Sequence, residues 1–224
     1  MTHRQAPLVL ALIVLAAPVG AQEMEPEKWA KDVTSADAGV RYQAADQLGR
    51  CAFYCQSAVP ALVKMLELPD SSDQSQAAFA LHQIIQDVQA RASMEGKDER
   101  AASAADCQAT LAVLRPRVKG AVPAPLEGQL AEVATLKLLG VCAGAEDVPA
   151  LVAVMSAPAF SVNARQAALI ALAQIGPPAV AAVPAIKALG SSTADSNGAF
   201  LKTVAKDVLP RIQPPPAKAA PKKK

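Results

Sequence analysis

Between Asn163 and Leu189 the chain reads NARQAALIALAQIGPPAVAAVPAIKAL, and its apolar positions keep a helical rhythm. Ala167, Ala168, Leu172 and Ile175 follow i, i+3, i+4 spacing, which gathers small and branched apolar side chains on one helical face. Gly176-Pro177-Pro178 ends that helix, because glycine accepts a left-handed cap and proline cannot donate the next backbone hydrogen bond. The apolar run Val180 to Leu189 starts a second helix at once, with Pro184 in its first turn, where a missing N–H goes unneeded. The stretch predicts a complete helix-turn-helix unit.

Weaker copies recur. VRYQAADQLGRC, Val40 to Cys51, precedes AVPALVKMLEL, Ala58 to Leu68; setting Arg41 on Arg165 also sets Leu48 on Leu172 and Pro60 on Pro184, all at a separation of 124. A third copy, from Asp73, places Ala77, Ala78 and Leu81 on Ala44, Ala45 and Leu48 at an offset of 33. A fourth, QLAEVATLKLLG from Gln129, precedes the Asn163 unit by 36 and is followed by VPALV, Val148 to Val152. No alternating stretch competes, so the class expected is all-α. Met24 to Thr34, with Pro26 and Trp29, predicts a leading helix within an N-terminal cap at 22–36. Asn197 to Leu209 predicts a closing one, ended by Pro210. For Trp29 two readings stay open: a cover over the first unit, or an exposed anchor for a partner.

The pattern VR-x-x-AA-x-x-LG followed by V-P-A-L resembles HEAT repeats across most of residues 37–209. Its spacing of 33 to 36 residues is shorter than the usual 40–47 or so, and is similar to compact bacterial HEAT-like repeats of the phycobilisome-lyase type. The resemblance implies a right-handed α-solenoid of about four to five stacked helix pairs that binds another protein or peptide. It implies a concave face lined by second helices, which makes Lys64 and Lys187 candidate contacts. It also implies that Arg41 and Arg165 are structural, each packing its stem and pairing with an acid of the neighbouring unit. The Gln74 and Gln129 copies lack that arginine.

Regularity fails around 86–125. The Gln74 and Gln129 frames stand 55 apart, and the excess includes the polar run SMEGKDER from Ser93. The expectation there is a helix to Ala92, a solvated loop, a second helix from Ala101 to Leu114 and a break from Pro116 to Pro125. Such an insertion is either a plain connector or the place where binding is tuned.

Composition sharpens this picture. Apolar residues make up 52% of the chain and aromatic ones only 3%, so the core is built from Ala, Leu and Val, which suits closely approaching helices. His3 and Arg4, the apolar Pro7 to Ala17 and the small Val19-Gly20-Ala21 predict a signal peptide over 1–21, removed before Gln22. Ala6 to Ala21, interrupted by Pro18 and Gly20, is short for a membrane span of about 20 residues. The mature chain is therefore expected to be periplasmic or secreted, without a transmembrane span. Net charge is +2; losing Arg4 makes it +1. Arg211, Lys218, Lys222, Lys223 and Lys224 carry +5 without an acid, which leaves −4 on 22–210. An acidic body with a basic tail argues against nucleic acid as partner. PPPAKAAPKKK within 210–224 predicts a disordered, partly polyproline tail. It either solubilises or touches an anionic envelope surface, and in the second case the repeats would serve as a structural module that the tail attaches.

Candidate chemistry is sparse. Cys51, Cys55, Cys107 and Cys142 in an exported chain predict disulfides. The favoured pairing is Cys51–Cys55, four residues apart at a helix end, with Cys107–Cys142 joining the insertion to the next unit. Each bond contributes roughly 2–4 kcal/mol. CAFYC is neither C-x-x-C nor a haem-attachment motif, and His82 is the only histidine after the leader, so no redox, haem or zinc site is called for. Glu146-Asp147 suits the start of the VPALV helix rather than catalysis. No motif assigns a reaction or a cofactor, and the expectation is a non-catalytic interaction scaffold.

Overall fold

The computed structural model describes residues 24–120, 129–191 and 198–213. The expected leader, the tail from 214 and part of the 86–125 region lie outside them. Every regular element among the described residues is helical. Helix α1 (Pro26–Asp32) leads into α2 (Ala38–Cys51), a 3-10 turn at 52–58 and α3 (Val59–Leu66). Then come α4 (Ser71–Met94), the single turn α5 (Glu99–Ala102), α6 (Ala104–Gly120), α7 (Gln129–Cys142) and α8 (Val148–Ser156). Helices α9 (Val162–Ile175), α10 (Val183–Ser191) and α11 (Gly198–Ile212) close the described chain.

Local chemistry sets these boundaries. Asp37 caps α2 by accepting from the amides of Gly39 at 2.7 Å and Val40 at 3.1 Å. Asp70 does the same for α4, Asp98 for α5 and Ser161 for α9, each occupying N–H groups that a helix start leaves unpaired. Gly176 ends α9 at φ +73°, where a side chain would be strained. Helices α3, α8 and α10 all open on Val-Pro, and each follows a 3-10 turn.

Packing is serial. Helix α2 lies on α4, α4 on α7, α7 on α9 and α9 on α11, while α3 packs on α6 and α8 on α10 in a second row. The first row owes its close approach to small residues. Ala44, Ala45, Ala77, Ala78, Ala80, Ala167, Ala168 and Ala171 are all buried there. A Cβ on Gly49 would stand 3.2 Å from the Ala80 Cα, and one on Gly140 only 2.9 Å from that of Ala171. Leu48, Leu62, Leu81, Leu139, Leu151 and Leu172 fill the space between the rows. Helix α1 covers α2 and the 52–58 turn, with Trp29 half-buried against the core.

Three expectations need correction. The break at Pro116 does not occur, because α6 continues to Gly120. Pro210 likewise lies inside α11, which runs on to Ile212. Each proline deprives only the carbonyl four residues earlier of its donor, and those residues, Ala112 and Lys206, are exposed to water. Beyond the prolines, burial of Val118 and Ile212 holds each helix in place. The expected helix 101–114 is two pieces, α5 and α6, and α4 extends to Met94 before a turn at Gly96, φ +69°. The surplus length of this region thus goes mainly into helix, with α6 packed against α7 and α3.

Candidate functional site

The arginines come first because they separate scaffold from site. Arg41 donates from Nε to both carboxylate oxygens of Asp73 at 3.1 Å and from Nη2 to Oδ2 at 2.6 Å, so α2 is clamped to the start of α4. Its Nη1 bonds the carbonyl of Ser35, six residues back, at 2.8 Å. Gln74, one unit later, makes the same backward bond to Leu68, also six residues back, at 2.7 Å. Glutamine thus keeps the backward bond and lacks the length and charge for the forward one. Arg165 is buried and donates from Nε to the Met155 carbonyl at 2.9 Å. Arg115, which the repeat pattern gave no reason to select, bonds Asp147 at 2.7 and 2.9 Å and Glu146 at 2.6 Å. The only sequence signal for that clamp is the shared separation of 32 residues in Arg41–Asp73 and Arg115–Asp147. Asp147 also accepts from the Gly144 amide at 3.0 Å, so it fixes the turn before α8.

Both cysteine pairs sit at disulfide distance. Cys51 meets Cys55 across a Cα separation of 5.8 Å, and Cys107 meets Cys142 across 5.0 Å, which ties α6 to α7. Inside the smaller loop Ala52 adopts φ +43°, a strained value for alanine. Arg91 stacks over Phe53 with its guanidinium carbon 4.0 Å from the ring centroid, and Asp87 accepts from the Phe53 amide at 3.1 Å. The loop is thereby anchored to α4 while Tyr54 stays exposed.

Two clefts among the described residues border first-row helices. A cleft of about 450 Å³ between α1 and α2 is bordered by Lys28, Trp29, Asp32, Val40, Tyr42 and Asp46. A second, about 260 Å³, lies between α4 and α7 and is bordered by Gln76, Phe79, His82, Gln83, Val133 and Lys137. Phe79 is 44% exposed and Tyr42 49%, high values for aromatic side chains on packed helices. Burial, and secondarily the Lys137 ammonium, holds the His82 imidazole below its ordinary value, so it is uncharged at neutral pH. Lys64 and Lys187 are exposed on α3 and α10 and border neither cleft. The α4–α7 cleft has a geometric origin: small residues such as Ala134 leave room beside a large one such as Phe79. Tyr42 and Phe79 were findable as aromatic residues off the apolar stripe; the cleft itself depends on which helices meet.

Leu48 and Leu172 are fully buried, while Pro60 and Pro184 occupy the second positions of α3 and α10, exposed. Among the described residues no group of three or more His, Cys, Asp or Glu is placed to hold a metal ion, and no helix is long and apolar enough to cross a membrane.

No family model matches the sequence, and no curated protein matches it. Among solved structures, the crystal structure of one engineered protein is 23% identical, with 84% of this chain and 96% of that chain covered at a TM-score of 0.41. A second engineered protein is 19% identical, with 84% and 98% covered at a TM-score of 0.34. Neither likeness is close enough to carry an argument about function.

Proposed function

We propose that this protein is an exported, non-catalytic scaffold of HEAT-like helix pairs that holds an extended segment of another protein across its first-row helices. One observation carries the reading: the cleft between α4 and α7 sets exposed Phe79 beside the amides of Gln76 and Gln83 and the ammonium of Lys137. A glutamine amide offers one donor group and one acceptor, the same pair that each peptide unit of an extended chain presents. Phe79 and Val133 supply an apolar seat, and Lys137 favours a partner with a carboxylate nearby. Export is supported by the 1–21 composition and by the two cysteine pairs, since disulfides persist in oxidising compartments.

The test is capture from an envelope extract with the full chain as bait. Phe79→Asp and Lys137→Glu are expected to lose the partner that the parent chain retains, whereas Lys64→Glu and Lys187→Glu keep it. Equal capture by all four variants, or loss confined to the two second-row lysines, would overturn the assignment to this cleft.

A further inference from the structure

The cleft between α1 and α2 differs from the α4–α7 groove in being doubly aromatic and acidic. Trp29 and Tyr42 both border it, and so do the carboxylates of Asp32 and Asp46. Among the described residues the one cation bordering it, Lys28, is held by Glu25 at 2.6 Å, and Asp46 is paired with an outlying Arg50 at 2.8 Å. These five charged groups sum to −1, and Glu27 stands on the adjoining surface. Aromatic rings that flank a shallow cleft are the established chemistry for seating proline rings, whose fixed φ leaves little entropy to lose on binding. Acidic rims add attraction for lysine.

The same chain carries a segment that meets both demands. Residues 214–224 read PPPAKAAPKKK: three consecutive prolines, a fourth at Pro221, four lysines and no acid. The prolines at 214–216 come within three residues of Gln213, just past the end of α11. From α11 back to α2 there are four helix-to-helix steps, through α9, α7 and α4, each about 8–10 Å. Three residues extend at most about 11 Å. Helix α11 packs chiefly on α9 and α10, at the far end of the row from the Trp29 cleft, so a proline run tethered there is better placed for the cleft of a second copy.

We infer that the Pro/Lys segment 214–224 of one copy docks on the Trp29–Tyr42 cleft of a second copy, joining molecules head to tail. The prolines lie against Trp29 and Tyr42, and the lysines face Asp32, Asp46 and Glu27. Such a contact is heterologous: each molecule offers one cleft and one segment, so units add in rows or rings rather than stopping at a symmetric pair. The inference is independent of the α4–α7 groove, and neither stands or falls with the other.

Trp29 is the only tryptophan, so its emission reports on the cleft alone. A synthetic peptide of residues 211–224 titrated into the dilute full chain is expected to shift Trp29 emission saturably, with weaker binding at high salt. A peptide with serine at every proline but all its charges should bind several-fold more weakly. In sedimentation at rising concentration the parent chain should gain mass. Two full-length variants should stay monomeric: Asp32→Lys/Asp46→Lys, which spoils the cleft, and Lys→Gln at 218, 222, 223 and 224, which spoils the segment. Mixed together, these two should form dimers and nothing larger, since one intact cleft meets one intact segment. Tyr42→Ser serves as a second cleft variant if the double charge reversal lowers helix content by circular dichroism. An unchanged Trp29 signal, equal binding of the serine peptide, or parent-like association of the cleft variants would overturn the inference. Binding to anionic vesicles that depends on the segment, without any self-association, would overturn it in favour of a lipid surface.

Discussion

Two carboxylates, Asp73 near the start of α4 and Glu132 near the start of α7, are equally hidden, each 3% exposed. They are treated in opposite ways. Asp73 receives a two-pronged guanidinium from the preceding first-row helix, whereas Glu132 has an oxygen, Oε1, with no donor at all. On α6, Arg117 Nη1 is also buried without an acceptor. Burial holds the Glu132 carboxyl above its ordinary value, despite a first-turn position whose helix dipole favours a negative charge. The arginine is not repeated either: α4 carries Gln74 where α2 carries Arg41, and Gln74 bonds the Leu68 carbonyl instead of a carboxylate. An array can repeat its apolar contacts faithfully while its polar contacts are completed at one junction and left open at the next.

Several substitutions would break or sharpen that contrast. The largest effect is expected from Arg41→Ala, which strands Asp73 in the core. Its loss of thermal stability should exceed that of the double variant Arg41→Ala/Asp73→Ala, because removing both partners leaves no buried charge behind. A double variant as unstable as the single one would show the clamp to be ordinary packing. Next, Gly140→Ala forces a methyl group against the Ala171 backbone and should cost about 1–3 kcal/mol, read from denaturant midpoints at unchanged slope. Gly49→Ala, with slightly more room, should cost less.

Glu132→Gln should stabilise the protein at neutral pH. The carboxyl's raised value means that the folded chain holds a proton the unfolded chain has released, so Glu132 favours folding in acid and opposes it as pH rises. The gain from the amide should therefore vanish as pH falls below the carboxyl's ordinary 4.5. A gain that persists in acid would point to packing instead. Smallest is His82→Gln. With its value held below 6.5, His82 takes up a proton more readily in the unfolded chain, so stability declines as pH drops from there. Melting curves at successive pH values should show that decline flattened in the variant.

Much of the architecture was readable because it rests on spacing. The Val-Pro openings, the Leu-Gly step and the alanine stripes each state a geometry that a neighbour must satisfy, and α2, α7 and α9 start or end close to where those marks stand. The prolines at 116 and 210 misled because a helix with solvent beside the orphaned carbonyl and a buried side chain beyond it tolerates the lost bond. Arg115 was illegible for another reason. Its partner is 32 residues away and on a different kind of element, so nothing local marks it. The cleft between α4 and α7 was not legible because grooves follow from which side chains stand unopposed between particular helices, whereas the resemblance speaks only of a face.

The Cys107–Cys142 link has a mechanical meaning. It closes 35 residues into a loop, so a molecule pulled by its ends could never pay out that length, roughly 12 nm of extended chain. The small Cys51–Cys55 loop withholds almost nothing by comparison. Under tension the centre of the molecule would yield by separating whole helices around a fixed staple, while the helices before Cys107 could unravel to nearly their full contour.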